Sequence, residues 1–339
     1  MSKKVKDLDS MSDEVNKKTG EVVHLNPTAN ATVQPVALMR LGLFVPNTDH
    51  AKSKNSVNTV KSTVDATEDL YHLEVVKREG YKDISIRSER LDMATDFRVW
   101  LGIIRSIYDN GSFVGKLKLP FTKFLQNCGF DSKRSNKDMK KRIDESLMRL
   151  RGVTIQFCND TGSLTTGLVN SAHYNLTKNE VEIEGDPRLA DLYQMDYKVY
   201  LRLKAIDHLP RKESAQALYT FIESLPKNPA PVSMKRLRER LRLKSRIAYQ
   251  NHIVRKALSE LKEINYLEYS EFKRGRSVYF NITKRNPSLV PDKSLKFKND
   301  ESSEPQVVDE QMISKISKLK DSGFTEEEIA KILISLDSD

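Results

Sequence analysis

The clearest hydrophobic pattern of the chain lies between Pro231 and Arg285. Two helices are predicted there, because apolar residues recur three or four positions apart and so share one face of each helix. The two faces consist of Met234, Leu237 and Leu241, and of Val254, Leu258, Leu261 and Ile264. After Asn265 apolar and polar residues alternate, which predicts two strands joined by a turn at residues 273–276. Helix, helix and hairpin in this order predict a winged helix-turn-helix.

The same pattern occurs a second time, at residues 121–157. Phe121, Phe124 and Cys128 repeat the first set of spacings, and Ile143, Leu147, Leu150 and Val153 repeat the second. An alternating strand follows each set, at residues 153–157 and at residues 267–269. Because two helices and a strand rarely match in order by chance, a duplicated winged helix is predicted. The predicted fold class is therefore α+β, with tandem duplicated winged helix-turn-helix domains and flexible polar tails.

Shifts in composition divide the chain into five predicted segments. Residues 1–30 are a polar tail expected to be disordered, and residues 31–66 are an apolar arm followed by a linker or flexible loop. The arm, Thr32 to Pro46, is typical either of a strand packed on the first domain or of a self-association segment. The winged-helix domains are predicted at residues 67–205 and 206–290. Residues 291–339 form an acidic tail with a possible pair of short helices.

Further helices complete the two predicted domains. Thr67 is expected to begin a helix that reaches Glu79, and Asp92 to cap a longer helix that ends at Asn110. The single tryptophan, Trp100, lies on the apolar stripe of that longer helix and is expected in the core. The first helix of the second domain is predicted from Lys212 to Leu225.

Charge is distributed unevenly along these segments. The whole chain has a formal net charge of +10, and residues 231–285 alone carry the same net charge. Residues 116–151 carry +7, whereas residues 299–339 carry −7. Such basic segments favour nucleic acid as the partner. The acidic tail has two interpretations, a docking motif or a segment that rests on the basic head.

The candidate DNA contacts follow from rotating each predicted recognition helix by about 100° per residue away from its buried face. Arg246 and Arg255 carry the fork that matches guanine O6 and N7, and the turn residues suit phosphates or a minor groove. The candidates of the second copy are Lys244, Ser245, Arg246, Tyr249, Asn251, His252, Arg255, Lys256, Lys273, Arg274 and Arg276. Those of the first copy are Lys133, Arg134, Ser135, Asn136, Lys137, Lys140 and Lys141. Phosphate contact is expected in the first copy, since its outward set is almost all lysine and arginine.

Enzymatic patterns are missing from the sequence. Residues 162–167 imitate the start of a P-loop, but Leu168 and Val169 replace the lysine and hydroxyl residue that the motif needs. The six histidines form no His-x-His pair and no zinc spacing, so neither a metal, a cofactor nor a catalytic residue is expected. Cys128 and Cys158 are expected to be free buried thiols. No apolar run approaches the length of a membrane span, and a soluble, cytoplasmic protein without membrane contact is predicted.

Four segments carry a resemblance to a known family. They are TVQPVALMRLGLFVP (32–46), RLDMATDF (90–97), ESAQALYTFIESLPKNPAPVS (213–233) and QNHIVRKALSELKEINYLEY (250–269). In these segments the chain resembles RepA-type initiators of theta-replicating, iteron-containing plasmids, above all those of IncF-type plasmids and related plasmid prophages. The resemblance implies binding to direct-repeat iterons in double-stranded DNA, help in opening the origin, and recruitment of host DnaA and the replicative helicase. It also implies dimers that repress their own gene.

Two other functions are compatible with parts of this pattern. A transcriptional repressor with tandem winged helices would need the same basic heads and no role in replication. A strand-nicking replication enzyme would need a two-histidine metal site, which the sequence lacks.

Overall fold

The computed structural model describes residues 13–15, 22–24, 27–47, 62–65, 82–110, 115–175, 177–186, 193 and 198–289. The helix predicted at residues 67–79 and the helix pair predicted in the acidic tail lie outside these ranges. The helices are α1 (Val36–Arg40), α2 (Asp96–Asp109), α3 (Phe121–Asn127), α4 (Lys137–Arg151), α5 (Leu203–Asp207), α6 (Glu213–Glu223), α7 (Met234–Leu241) and α8 (Ile247–Glu263). The strands are β1 (Asp13–Val15), β2 (Val22–His24), β3 (Ala31–Pro35), β4 (Phe44–Val45), β5 (Ser62–Asp65), β6 (Asp83–Ser88), β7 (Leu91–Asp92), β8 (Lys116–Pro120), β9 (Thr154–Asn159), β10 (Gly162–Thr166), β11 (Val169–Asn175), β12 (Glu180–Gly185), β13 (Lys198–Arg202), β14 (Val232–Ser233), β15 (Leu267–Arg274) and β16 (Ser277–Arg285).

Two winged helices with the same order of elements confirm the predicted fold class. The first runs α2, β8, α3, α4, β11 and β12, and the second runs α6, β14, α7, α8, β15 and β16. Their three-stranded sheets also share one order, β8-β12-β11 and β14-β16-β15. In both copies a short strand passes directly into the second helix, at Phe121 and at Met234, and both residues are buried. The spacings that recur in the sequence are therefore those of the residues that pack into the core of each copy.

One part of the predicted repeat is wrong. The alternating strand at residues 153–157 was matched to the strand at residues 267–269, but β9 pairs with β6 and β10 in a separate four-stranded sheet. The true counterpart of β15 is β11, because β12 and β16 each pair with the strand that precedes the second helix. Alternation predicts a strand but not its partner, so the inserted β9–β10 hairpin could not be recognised from the pattern alone.

Two segments predicted to lack regular structure contain strands. In the polar tail, β1 pairs with β2 in antiparallel fashion. In the predicted linker, β5 pairs with β6 and forms the edge of the four-stranded sheet. Strands β1 and β5 are short and mostly polar, so they carry little hydrophobic signal. Pairing with a neighbouring strand supplies the structure that the pattern does not show.

The apolar arm packs into the protein, which agrees with the first of its two interpretations. It consists of β3, α1 and β4, and β3 pairs with β13 while β4 pairs in parallel with β7. Arg240 in α7 is buried and donates to the carbonyl oxygens of Met39 and Phe44, both at 3.0 Å. Gly42 has φ +63°, and an added Cβ would lie 2.8 Å from the carbonyl oxygen of Arg240. The arm therefore contacts the second winged helix as well as the first.

The buried side chains of both copies form one continuous core. Trp100 is fully buried, as predicted, and its indole N–H donates to the Gln34 amide oxygen at 2.9 Å. The hydroxyl of Tyr193 donates to the same oxygen at 2.9 Å. Because an unpaired polar group in a core is costly, these bonds explain how Gln34 can be fully buried. The boundaries of the five predicted segments stay predictions.

Candidate nucleic-acid interface

Helix α8 presents one apolar face to the core and one polar face to solvent. Val254, Leu258 and Leu261 are buried. On the opposite side the residues predicted to point outward, Tyr249, His252, Arg255 and Lys256, are all exposed, whereas Asn251 is half-buried. The loop before the helix, residues 244–246, is exposed as well and supplies Lys244, Ser245 and Arg246. A helical period of 3.6 residues is sufficient to produce this separation.

The start of α8 is fixed by Gln250 and not by a serine cap. Its side-chain amide donates to the carbonyl oxygen of Leu243 at 3.1 Å and also to that of Ser245. Arg246 occupies the N-cap position without a capping hydrogen bond from its side chain. Ser245 and Arg246 are thus held by their backbone, and their side chains remain exposed.

The wing is the β15–β16 hairpin. Its tip turns at Gly275, where φ is +61°, a value that glycine adopts without strain. Lys273, Arg274 and Arg276 surround the tip and are exposed. On the outer face of the hairpin the ring of Phe272, 40% exposed, stacks on Tyr279 with centroids 5.8 Å apart.

Most cations of this region form no ion pair within the described residues. Six of them, which we call the basic surface, make no hydrogen bond or ion pair through their side chains to any residue that the structure describes: Lys244, Arg246, Lys256, Lys273, Arg274 and Arg276. Arg255 is the contrast, since its guanidinium is bound to the carboxylate of Glu271 in β15, with Nη2 2.7 Å from Oε1. Unpaired positive charge on one side of a helix and wing is suited to polyanions.

A concavity beside α8 adds residues that sequence reasoning missed. Lys256, Tyr249 and His252 form one wall, and the turn at Pro210–Ser214 forms the other. Arg211 in that turn is exposed, has φ +61°, and makes no side-chain ion pair within the described ranges. The only sequence signal was the Arg-Lys pair after Pro210, which lies far from the predicted recognition helix in the chain.

The first copy offers a different surface. Lys133, Lys137 and Lys141 are exposed, but Lys141 lies 3.9 Å from Glu145. Lys140 lies over the ring of Phe121, 5.8 Å from its centroid. Ser135 is half-buried, and the side chain of Arg134 lies outside what the structure describes.

One candidate contact of the first copy also has a structural role, and one expectation for this copy needs correction. Asn136 caps α4, because its side-chain oxygen accepts the backbone N–H of Met139 at 2.8 Å; an asparagine before a helix commonly has this role. The outward face is also not almost all basic, since Asp138 and Asp144 are exposed on it.

The described ranges hold neither of the two features that would point to a metal or a membrane. No group of three or more His, Cys, Asp or Glu residues there could hold a metal ion. None of the helices described combines the length and apolar character of a membrane span. Cys128 and Cys158 are both free, as predicted; Cys128 is buried and Cys158 is half-buried.

Comparison with known proteins decides the family. The family described as "Initiator Replication protein, WH1" matches residues 55–223. The RepFIB replication protein A of Escherichia coli is 44% identical over 332 residues, which cover 95% of this chain and 100% of that protein. The chain belongs to the RepA-type replication initiators. The initiator is also 50% identical over 281 residues to a replication protein RepA of Salmonella typhi, covering 82% of this chain and 79% of that protein.

The family narrows the functions left open by the pattern. The chain is a replication initiator with a winged-helix DNA-binding fold. A repressor that has no role in replication is therefore no longer one of the alternatives. Among solved structures, domains 2 and 3 of RctB match at a TM-score of 0.43 and 11% identity, covering 74% of this chain and 98% of that one. A likeness at that level supports no argument about the initiator.

Proposed function

We propose that the initiator binds direct repeats at a plasmid origin mainly through its second winged helix. Helix α8 would enter the major groove, and the wing tip would contact phosphates or the adjoining minor groove. The observation that supports this is the basic surface, whose six cations form no ion pair within the described residues. In solution these charges would neutralise phosphates and release counter-ions, which gives affinity. Exposed side chains of α8 would then supply base contacts.

The first winged helix would contribute phosphate contacts through Lys133 and Lys137. Both are exposed and have no ion-pair partner in the part of the chain that the structure describes. Major grooves on one face of DNA recur about every 10.5 base pairs, so two linked heads can follow one repeat of roughly 20 base pairs. Linking the heads makes the second contact intramolecular and raises affinity without new chemistry.

The binding experiment compares a duplex carrying the direct repeats beside the initiator gene with a shuffled duplex at several salt concentrations. We expect the wild type to prefer the repeats at least about a thousandfold. Arg246→Ala/Lys256→Ala should weaken binding and flatten the dependence of log K on log salt by about two units, one for each phosphate contact. The matched control is Lys235→Ala/Lys284→Ala, which removes the same charge from residues paired with Glu239 and Glu268. Equal binding of both duplexes by the wild type would refute the proposal.

A plasmid-establishment assay connects binding to replication. The gene and its flanking DNA are placed on a replicon without another origin, and colonies are counted for the wild type, the Arg246→Ala/Lys256→Ala variant and the control. Colonies from the wild type and the control alone would support the basic surface as the origin-binding site. Establishment by the variant at the wild-type frequency would contradict it.

We infer further that the initiator opens the origin, recruits host DnaA and the replicative helicase, and represses its own promoter as a dimer. The resemblance of the four segments is the support for these roles. Light scattering over a range of protein concentrations tests dimerisation, and a reporter fused to the promoter of the gene tests repression. A monomer at all concentrations together with an unrepressed reporter would remove the dimer and the autoregulation from the proposal.

A further inference from the structure

The pair formed by Arg255 and Glu271 joins the recognition helix of the second copy to its wing. Nε of Arg255 lies 3.2 and 3.0 Å from the two carboxylate oxygens, and Nη2 lies 2.7 Å from Oε1. The pKa of Arg255 is raised and that of Glu271 is lowered, in each case mainly by their mutual hydrogen bonds. One edge of the guanidinium is therefore occupied by the wing.

The opposite edge of the same guanidinium is unoccupied. An arginine side chain has five N–H donors, and Glu271 takes the one on Nε and one on Nη2. Both donors of Nη1 and the second donor of Nη2 have no other partner within the described residues. Two adjacent nitrogens with parallel N–H bonds match O6 and N7 of guanine. With 46% of its side chain exposed, Arg255 can present this fork to DNA while Glu271 holds the other edge.

The first copy shows that a winged helix of this chain does not need the pair. Asp144 stands at the position of Arg255, because it follows the buried Ile143 as Arg255 follows the buried Val254. The register of the two sheets places Tyr174 where the second copy has Glu271. Across the first sheet, Leu119 pairs with Val181, which pairs with Tyr174. Across the second, Val232 pairs with Phe280, which pairs with Glu271. An ion pair this exposed also contributes little to stability.

We propose that Glu271 is a positioning residue for base recognition, and the proposal rests on the binding mode given above. Glu271 fixes the guanidinium of Arg255 so that its second fork meets a guanine in the major groove. Fixing the side chain in advance reduces the conformational freedom that is lost when DNA binds. The contrary possibility is that Glu271 masks Arg255 and repels phosphates, which predicts the opposite effect of removing its charge.

The test measures binding of the full-length protein to a series of duplexes in which each base pair of one direct repeat is substituted in turn. The proteins are the wild type, Arg255→Ala, Glu271→Gln, the double variant and the control Glu268→Gln. Glu268 lies in the same strand, and its partner is Lys284 at 3.8 Å, so the control makes the same charge change outside the pair. Thermal unfolding is recorded for each variant to show that it folds.

We expect Arg255→Ala and Glu271→Gln to lose about tenfold discrimination at the same G·C base pair, corresponding to about 1.4 kcal/mol. The double variant should lose no more than Arg255→Ala, since the two residues act through one contact. Glu268→Gln should keep the wild-type profile. Glu271→Gln therefore weakens specific binding although it removes a negative charge from the surface.

Three results would overturn the inference. Tighter binding of all duplexes by Glu271→Gln would show masking by the carboxylate. Loss of discrimination in Arg255→Ala but not in Glu271→Gln would leave Arg255 as a base contact that needs no positioning. Full discrimination by Arg255→Ala would exclude Arg255 as a base contact. A wild type without any preference along the repeat would instead refute the proposed binding mode itself, and the inference with it.

Discussion

Removing the guanidinium of Arg240 should detach the apolar arm from the second winged helix. The side chain is 4% exposed and lies in α7. It donates to the carbonyl oxygens of Met39 and Phe44, each at 3.0 Å, and to Thr220 Oγ1 at 3.2 Å. Arg240→Ala deletes these three hydrogen bonds together and leaves two carbonyl groups of the arm without this donor.

The expected loss of stability follows from the number of hydrogen bonds that are deleted. Hydrogen bonds to a charged donor contribute about 1.5–3 kcal/mol each, but part of this is offset because a buried guanidinium no longer has to be desolvated. We therefore expect the free energy of unfolding to fall by about 3–5 kcal/mol, below the roughly 4.5–9 kcal/mol that three such bonds would contribute without the offset. For a chain of this size that is a decrease in Tm of roughly 4–7 °C.

The assay combines thermal unfolding with limited trypsin digestion. Arg40 of the arm is bound through Nη2 to the carbonyl oxygen of Ser224 at 2.8 Å, so cleavage after Arg40 reports on release of the arm. We expect faster cleavage there in Arg240→Ala. The half-buried Arg238 of the same helix makes no side-chain hydrogen bond or ion pair in the described ranges, and Arg238→Ala should stay within about 0.5 kcal/mol of the wild type. A Tm within about 1 °C of the wild type for Arg240→Ala, the shift that roughly 0.5 kcal/mol produces, would refute the reasoning.

Three further predictions concern packing, thiol reactivity and charge. Gly102→Ala should lower stability by about 1–3 kcal/mol in urea unfolding, because the new Cβ would lie 2.3 Å from Sγ of Cys128 and 3.0 Å from its backbone. Iodoacetamide at pH 8 should label Cys158 in the native protein and Cys128 only after unfolding, since burial raises the pKa of the Cys128 thiol; mass spectrometry of peptides checks this. Lys256→Glu should weaken binding to the repeats at least about tenfold, whereas Glu145→Lys in the first copy should change it less or strengthen it.

The hydrophobic pattern predicted the parts of the fold that depend on local periodicity. The repeated spacings at Phe121 and Met234 correspond to α3 and α7, and those at Ile143 and Val254 to α4 and α8. Each of these helices buries one face, and a buried face leaves a period in the sequence. For the same reason the exposure of Tyr249, His252, Arg255 and Lys256 could be predicted before the structure was known.

Features that depend on contacts distant in the sequence could not be predicted. The pairing of β9 with β6, the contact of Arg240 with the arm and the bond from Arg255 to Glu271 each join residues that no local pattern connects. A rotation by 100° per residue places Arg255 outside the core, but it cannot show that a carboxylate of the wing occupies one edge of its guanidinium. Arg211 was missed for the same reason, since only folding brings the turn before α6 next to α8.

The two copies bury the same helix faces, but they carry different charges next to those faces. At the start of its first helix, the first copy has the buried Asp96, bound by Arg149 of α4 at 2.7 Å. At the N-cap of its first helix, one residue before the helix begins, the second copy has Lys212, 4.0 Å from Glu260 of α8, and Glu260 follows Val254 at the distance at which Arg149 follows Ile143. The first copy thus commits an arginine of α4 to an internal ion pair. In the second copy, the residue of α8 that forms the corresponding ion pair is an acid. The cations of α8 that face solvent can therefore contact a polyanion. In the binding mode that we propose, this divergence would give the two heads different tasks, since the first would pack and position and the second would read the DNA.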